Sequence, residues 1–254
     1  MLMIKLKAFL MHFSLSALII SIFLAVVYFI WYPQPFLDLE GGLEILLLLV
    51  TVDLILGPTL TFILYRPKKK GLYFDLTMIA IVQITALLYG VNTVYQERPQ
   101  YIVFSVDRFN TIPASAIDTQ TLTDKSLQTG LFDKPRFVFV EPPRDTENMF
   151  KLLEEIGKGG EDIDGRPEFY RDYTKHKKNI VNNKNQLSLT AIIKEFPKQQ
   201  ALIELFAKQQ QLKPEQLIFF SLVGKQKNYI IVLNQQAIMV GSLAVNPWQI
   251  KNKN

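Results

Sequence analysis

The apolar positions of this chain are concentrated in three long windows in its first third. The windows cover about residues 9–31, 43–65 and 72–94. Each reaches the roughly 20 residues that an α-helix needs to cross about 30 Å of hydrocarbon. The pattern therefore predicts a three-span transmembrane domain over residues 1–96, followed by a second domain over residues 97–254.

The first window resembles a secretory signal peptide because Lys5 and Lys7 precede it. Its apolar run is, however, longer than the usual core of about 7–15 residues, and no A-x-A-like cleavage site follows. The segment WYPQP, residues 31–35, closes the window instead. Its aromatic residues favour the membrane interface and its prolines end a helix, so we expect a retained membrane anchor.

Charges beside the windows predict the orientation of the spans. Lys5 and Lys7 precede the first span, and the segment RPKKK, residues 66–70, joins the second span to the third. The link between the first two spans carries Asp38 and Glu40 but no Lys or Arg. Because basic loops favour the cytoplasm, the N-terminus and the RPKKK loop are expected there, and the second domain outside, which is the periplasm if the source is a Gram-negative bacterium.

After residue 97 the hydrophobic period changes to one typical of strands and amphipathic helices. Residues 101–109 and 136–143 are predicted strands, and Asp145 or Thr146 is expected to cap a helix that reaches about Ile156. Ser188 or Thr190 begins a second helical pattern, and Pro197 begins a third. Three strands separated by turns near residues 225–227 and 234–235 close the chain. The prediction is a small α+β domain with an antiparallel sheet.

A carboxylate in the middle of the second span is the unusual feature of the membrane domain. A charged Asp53 at that depth costs about 2.5–3.5 kcal/mol and needs a polar partner. Gln83 of the third span is predicted at the same depth, roughly 17 Å from the cytoplasmic ends of the two helices, because helices rise about 1.5 Å per residue. Pro58 cannot donate a backbone hydrogen bond, so a kink is expected near Gly57.

Three interpretations of Asp53 remain open. The first is a bundle held together by an Asp–Gln hydrogen bond and a proline kink. The second is a groove at which the transmembrane helix of a partner docks. The third is a proton or ion pathway, which a single carboxylate supports weakly.

Composition excludes several classes of function. The net charge of +5 is a mild excess spread along the chain rather than a basic patch for nucleic acid. The absence of cysteine excludes disulfides and thiol chemistry, and with only two histidines, His12 and His176, a zinc site is not expected. His12 is expected near the cytoplasmic edge of the first span.

Recognisable catalytic motifs are absent. The segment GKGGEDIDG, residues 157–165, has neither the spacing of a phosphate loop nor the closing glutamate of a calcium loop, so a solvated turn is expected. Asp107 and Arg108 form an exposed-looking pair at a strand end, which is more typical of a structural ion pair than of an acid and base. No catalytic, cofactor or metal residue is therefore predicted.

Several motifs together resemble the type IV pilin accessory proteins of the TfpX/TfpZ kind. They are KLKAFLMH at 5–12, WYPQPF at 31–36, VDLILGPTLT at 52–61, KKKGLYFDLTMIAIVQITALLYG at 68–90 and RPQYIVFSVDRF at 98–109. The resemblance is dense over roughly the first 110 residues. It implies an inner-membrane protein that supports assembly of one major pilin, and it implies no active site. The motif positions include Asp53, Gly57, Pro58, Gln83, Arg98, Pro99, Asp107 and Arg108.

The favoured hypothesis is a non-enzymatic accessory protein or chaperone that binds its cognate pilin. A rival is a membrane enzyme that modifies pilin by glycosyl or lipid-phosphate transfer, for which Glu97, Arg98, Asp107 and Arg108 form the densest set of charged groups near the outer interface. A sensor or scaffold acting through the RPKKK loop is a third hypothesis, although binding of membrane lipid headgroups explains that loop more simply. Nothing in the pattern specifies an oligomeric state.

Overall fold

The protein divides into two compact units, here seen in a computed structural model that describes residues 1–250. The first unit covers Met1–Arg98, and the second begins at Pro99. The boundary lies two residues beyond the position predicted from the sequence. Each unit has its own helices and its own core.

Three long apolar helices form the first unit. They are α1 (Leu2–Trp31), α3 (Gly42–Leu64) and α4 (Leu72–Glu97), and the short helix α2 (Phe36–Leu39) lies between the first two. Each long helix is long and apolar enough to cross a membrane, which confirms a membrane protein with three N-terminal spans. Two of them contain a π-helical turn, Val27–Trp31 in α1 and Val52–Leu56 in α3.

The middle helix of the unit is α3, against which α1 and α4 both pack. Lys5, near the start of α1, donates to the backbone oxygen of Ile63, near the end of α3, so these helices are antiparallel. The short link from α3 to α4 makes a helical hairpin. A buried cluster fills one end of the bundle; it consists of Ile20, Phe23, Val27, Trp31, Tyr32, Leu46, Leu49 and Val94.

The aromatic pair of the WYPQP segment belongs to this cluster. Trp31 is 4% exposed and Tyr32 2% exposed. The Tyr32 hydroxyl donates to the backbone oxygen of Val94 at 2.9 Å, and the Trp31 ring lies against Tyr95 with ring centres 5.2 Å apart. The two side chains therefore join α1 to α4 inside the protein, whereas the sequence predicted interfacial anchors for lipid.

The second unit is built on one seven-stranded sheet. The strands are β1 (Pro99–Ser105), β2 (Arg108–Pro113), β3 (Arg136–Val140), β4 (Tyr170–Asp172), β5 (Ile218–Val223), β6 (Asn228–Leu233) and β7 (Met239–Leu243). Their order in the sheet is β4-β3-β1-β2-β5-β6-β7. β1 lies between β3 and β2 in the sheet, and all seven of its residues are buried.

Four helices accompany the sheet. They are α5 (Thr146–Gly157), α6 (Lys177–Val181), α7 (Leu189–Glu195) and α8 (Gln200–Gln209). Asp145 caps α5 by accepting from the backbone N–H of Asn148, as the sequence predicted. Ser188 precedes α7, and a single 3₁₀ turn beginning at Pro197 leads into α8. The predicted α+β class is confirmed.

The sheet is mixed rather than antiparallel throughout. β5, β6 and β7 form the predicted antiparallel meander, but β1 pairs with β3 in parallel, and β2 pairs with β5 in parallel. Parallel neighbours require a long crossover connection, and the segments after β2 and after β4 supply it. Sequence periodicity does not show which distant strands become neighbours.

The predicted single strand over residues 101–109 is wrong, because the chain reverses there. Val106 and Asp107 form a tight turn that pairs Ser105 with Arg108 across a β-hairpin. Val106 adopts φ +55°, which is unusual for a β-branched residue. No glycine, proline or asparagine marks the turn, so its sequence reads as continuous strand.

Two of the buried clusters in the second unit lie at opposite ends of its sheet. One lies at the β1–β3–β4 end of the sheet and includes Tyr101, Val138 and Tyr170. The other lies at the β5–β6–β7 end and includes Ile203 of α8 and Ile230 of β6. The β2–β5 pairing joins the two ends into one sheet.

Candidate functional site

A π-helical turn places the first polar residue of the candidate site. Asp53 lies in the π-helical segment Val52–Leu56, and the helix returns to α geometry at Gly57 with Pro58 in its first turn. Pro58 has no N–H for the carbonyl oxygen of Leu54, so the regular hydrogen-bond ladder is interrupted at this point. Such turns inside helices are frequent at functional sites. The interruption lies where the sequence predicted a disturbed helix.

Asp53 is buried and pairs with Gln83 across the helical hairpin. Asp53 is only 5% exposed. Gln83 Nε2 donates to Asp53 Oδ1 at 3.5 Å, a long hydrogen bond. The structure thus brings together the two residues that the sequence placed at one depth.

Gly57 creates the space that Gln83 occupies. A Cβ atom on Gly57 would lie 1.8 Å from Gln83 Nε2 and 2.3 Å from its Cδ. No such distance is sterically possible, so the amide of Gln83 lies directly against the α3 backbone because residue 57 has no side chain. Gly57 is therefore a positioning residue for the Asp53–Gln83 contact.

His12 of α1 completes a polar cluster that the sequence did not predict. Its Nδ1 and the Thr61 hydroxyl of α3 share a hydrogen bond of 2.6 Å. The ring also interacts electrostatically with Asp53. His12, Asp53, Thr61 and Gln83 are named the intramembrane polar cluster below.

His12, Asp53 and Gln83 lie at similar distances from one end of the bundle, counted along their helices. His12 follows the start of α1 by ten residues, and Gln83 follows the start of α4 by eleven. Asp53 precedes the end of α3 by eleven residues. At about 1.5 Å per residue these positions are roughly 15–17 Å from the same end of the bundle. α1 begins at Leu2 rather than near residue 9, so His12 lies ten residues into the helix.

A cavity of about 180 Å³ opens beside the cluster, between α1 and α4. His12, Ser16, Asp53 and Gln83 contribute its polar groups. Its remaining walls are apolar and come from Leu15, Ile19 and Ile20 of α1 and Ala80, Ile84 and Leu87 of α4. Leu15 is 60% exposed and Ile84 57% exposed, so the cavity is bordered by side chains on the outer surface of the bundle.

The cluster contains only two side chains of the types that usually bind metals, His12 and Asp53. Within residues 1–250, no group of three or more His, Asp or Glu side chains is placed to hold a metal ion. The cluster combines one carboxylate, one imidazole, one hydroxyl and one carboxamide, all between packed helices. These groups can exchange hydrogen bonds with one another or with a polar group that enters the cavity.

Arg98 is a buried residue at the opposite end of the bundle. It is 4% exposed, its guanidinium lies 3.7 Å from the centre of the Tyr95 ring, and Nη1 donates to the Tyr95 backbone oxygen at 2.7 Å. Tyr32 interacts electrostatically with Arg98 and with Glu40 and Glu97. Arg98 therefore packs beside the C-terminal end of α4, next to the aromatic side chains around Tyr32.

Asp107 and Arg108 form an ion pair at the tip of the β1–β2 hairpin. Arg108 Nε donates to Asp107 Oδ1 at 2.8 Å, and both side chains are more than a third exposed. The guanidinium of Arg108 also lies 5.3 Å from the centre of the Trp248 ring. Neighbouring residues in an exposed pair of this kind contribute little to stability.

The acidic segment at residues 161–165 is a turn, but one of its acids is not solvated. Asp164 accepts a 2.5 Å hydrogen bond from Asn110 Nδ2, and its backbone oxygen accepts from the Tyr170 hydroxyl. Burial raises the pKa of the Asp164 carboxyl, and the nearby Asp162 raises it further. Asp164 therefore anchors the turn to β2, while residues 157–162 of the GKGGEDIDG segment are exposed as the sequence predicted.

The fold and the site define a class: a membrane-anchored protein with three long apolar helices, a polar cluster among them, and a mixed α+β domain. Comparison with known proteins identifies the family. The description "Fimbrial assembly protein FimB" belongs to a family model that matches residues 2–41, which include His12 and the WYPQP segment. The chain is 35% identical over 98 residues to a fimbrial assembly protein of Dichelobacter nodosus serogroups C1 and C2, and covers 75% of it. The chain belongs to the fimbrial assembly protein (FimB) family.

Two longer relatives extend the similarity over nearly the whole chain. The fimbrial assembly proteins of Dichelobacter nodosus serogroups I and E1 are each 25% identical to it. The alignments span 245 and 248 residues, which are 94% of this chain and 94% of each relative. Their descriptions name assembly and no catalytic activity. No solved structure matches the chain.

Proposed function

We propose that this protein is a non-enzymatic accessory protein of pilus assembly that binds its cognate pilin in the bacterial inner membrane. Membership of the fimbrial assembly protein family supports the role in assembly. The resemblance of residues 5–109 to the TfpX/TfpZ accessory proteins narrows the proposal to type IV pili.

The observation that carries the proposal is the coverage of the similarity. Two fimbrial assembly proteins align with 94% of this chain and over 94% of their own lengths. Both the membrane unit and the α+β unit are therefore shared with proteins described as assembly factors. An activity that needs only one unit explains this shared architecture less well.

The two units fit the two parts of a pilin. A pilin waits in the inner membrane with one transmembrane helix and an exported globular head. In this proposal the helix meets the membrane unit of the accessory protein, and the head meets the unit that begins at Pro99. The basic RPKKK loop is cytoplasmic, the second unit is periplasmic, and both contacts are made before the pilin enters the fibre.

Deletion of the gene and capture of pilin together test this proposal. We expect the deletion strain to lose most surface pili, and the full-length tagged protein to co-purify the cognate pilin from solubilised membranes. Intact-mass measurement of pilin from the deletion strain is expected to show an unchanged mass. A lost modification would instead support a pilin-modifying enzyme, and normal piliation without pilin capture would reject the assembly role.

A further inference from the structure

Hydrogen-bond acceptors outnumber donors in the intramembrane polar cluster. Asp53 supplies a carboxylate, and the one donor from Gln83 that reaches it is Nε2. The Thr61 hydroxyl is already engaged with His12. Gln83 Oε1 is buried and accepts no hydrogen bond of normal geometry within residues 1–250, although the His12 ring interacts with the Gln83 side chain. A buried acceptor without a donor is costly, and hydrocarbon cannot supply the missing hydrogen bond.

The orientation of the Gln83 amide follows from its neighbours. Its Nε2 atom must face Asp53 because an amide oxygen there would meet a carboxylate oxygen. The amide lies against the α3 backbone at Gly57, where no side chain separates the two. Gln83 and Asp53 both line the cavity between α1 and α4.

The cavity has the form of a gap in a helical bundle. α1 and α4 both pack on α3, and the gap between them has exposed apolar rims at Leu15 and Ile84 with polar groups at its base. A fourth helix laid along this gap would turn three packed helices into a four-helix arrangement. Apolar side chains of that helix would replace lipid at the rims, and one polar side chain would reach the base.

A second cavity touches Asp53 but is a poorer candidate. It has a volume of about 320 Å³ and lies between α3 and α4, where Leu48, Leu49 and Tyr89 contribute to its walls. Neither Gln83 nor His12 lines it, and the Thr93 hydroxyl at its edge already donates to the Tyr89 backbone oxygen. Lipid chains satisfy such an apolar surface, so it requires no protein partner.

We propose that the gap between α1 and α4 binds a single transmembrane helix that carries a hydrogen-bond donor at mid-depth, a hydroxyl, an amide or an amine, directed at Asp53 and Gln83. The surplus of acceptors selects a donor, and the apolar rims select a helix rather than water or a free ion. This inference rests on the proposed function for the identity of the partner, which is the helix of the cognate pilin.

Photocrosslinking in membranes tests the location. A benzophenone amino acid is placed at Leu15 or Ile84, on the two rims, and at Val82 as the matched control, which is 60% exposed on the same helix but lines neither cavity. We expect pilin adducts from positions 15 and 84 and at least about five times fewer from position 82. Adducts to a second copy of this chain would overturn the inference in favour of self-association.

Substitution of the acceptor tests the chemistry. Gln83→Leu is expected to lower pilin capture about 3- to 30-fold, because an interhelical hydrogen bond contributes about 0.6–2 kcal/mol. Thr85→Leu removes a polar group two residues away on an exposed position of the same helix and should leave capture unchanged. In pilin, replacing the donor side chain should weaken capture by the wild type but not by the Gln83→Leu variant.

The outcomes separate this inference from the proposed function. If pilin co-purifies but crosslinks equally from all three positions, or if Gln83→Leu captures it normally, the gap is not the docking site and the assembly role stands. If pilin neither co-purifies nor crosslinks and the deletion strain is normally piliated, both are rejected. Normal amounts of each variant in the membrane exclude misfolding as the cause.

Discussion

Gly57 shows how one missing side chain organises the membrane unit. The amide of Gln83 lies where a Cβ atom of residue 57 would be, and this approach brings Nε2 to Asp53. Gly90 makes a similar approach possible on the other side of the hairpin, but there the neighbour is the flexible apolar end of Leu49. The two glycines therefore allow a polar and an apolar contact of otherwise similar geometry.

The Gly57→Ala substitution is expected to destabilise the bundle by displacing Gln83 from Asp53. The loss should be about 0.6–2 kcal/mol, the range of an interhelical hydrogen bond. In a Gln83→Ala background the same substitution should cost nothing, because the displaced group is absent. SDS titration of the four proteins in micelles measures this coupling.

The matched control for this cycle is Gly90→Ala. A Cβ atom there meets Leu49 Cδ1 at 2.6 Å, which an apolar side chain can relieve by rotation. Its effect should be the same with and without Gln83. If Gly57→Ala also has the same effect on stability with and without Gln83, Gly57 acts only through packing and not through the Asp53–Gln83 pair.

The strained residue of the β1–β2 hairpin is exposed to solvent. Val106 is 72% exposed and holds φ +55°, and the Asn183 Nδ2 atom donates to its backbone oxygen at 2.9 Å. The pairing of β1 with β2 and the hydrogen bond from Asn183, which follows α6, therefore hold the turn. Val106 itself does not favour this backbone conformation. A residue with a branched side chain at such a position adds strain without adding buried surface.

Val106→Gly should therefore stabilise the protein. A left-handed conformation costs a non-glycine residue about 1–2 kcal/mol, and glycine gives back about 0.5–1 kcal/mol through its greater freedom when unfolded. A net gain of about 0.5–1 kcal/mol is expected in thermal or denaturant unfolding of the full chain. Val106→Ala keeps the strained φ and should give no comparable gain; equal gains would attribute the effect to the exposed side chain instead.

Across the whole molecule, the distribution of charge predicts how the two units are placed about the membrane. Lys5 and Lys7 lie near the start of α1, basic residues fill the link between α3 and α4, and the segment between α1 and α3 has no Lys or Arg. An alkaline phosphatase fused behind Asn254 should be active, and a fluorescent reporter that matures only in the cytoplasm should be dark there. A phosphatase inserted at Lys69 should be inactive, and the reverse pattern would contradict the proposed contacts with pilin.

Local patterns were sufficient for much of this architecture. A span is defined by about 20 consecutive apolar residues, and the closing meander by strands joined through short turns, so both were predicted. The pairing of Asp53 with Gln83 was predicted as well. A short loop joins their two helices, and the two residues are nearly the same number of positions from that loop. The same counting did not reveal the contact between His12 and Thr61, because no short loop joins α1 to α3.

Long-range packing settled the remaining features. The His12–Thr61 contact joins residues 49 positions apart, and the β2–β5 pairing joins strands separated by more than a hundred residues. The reversal at Val106 is imposed by the strands around it against the preference of the residue itself. Patterns along the chain report which side chains avoid water, whereas the partners of those side chains depend on the shapes of distant segments once they meet.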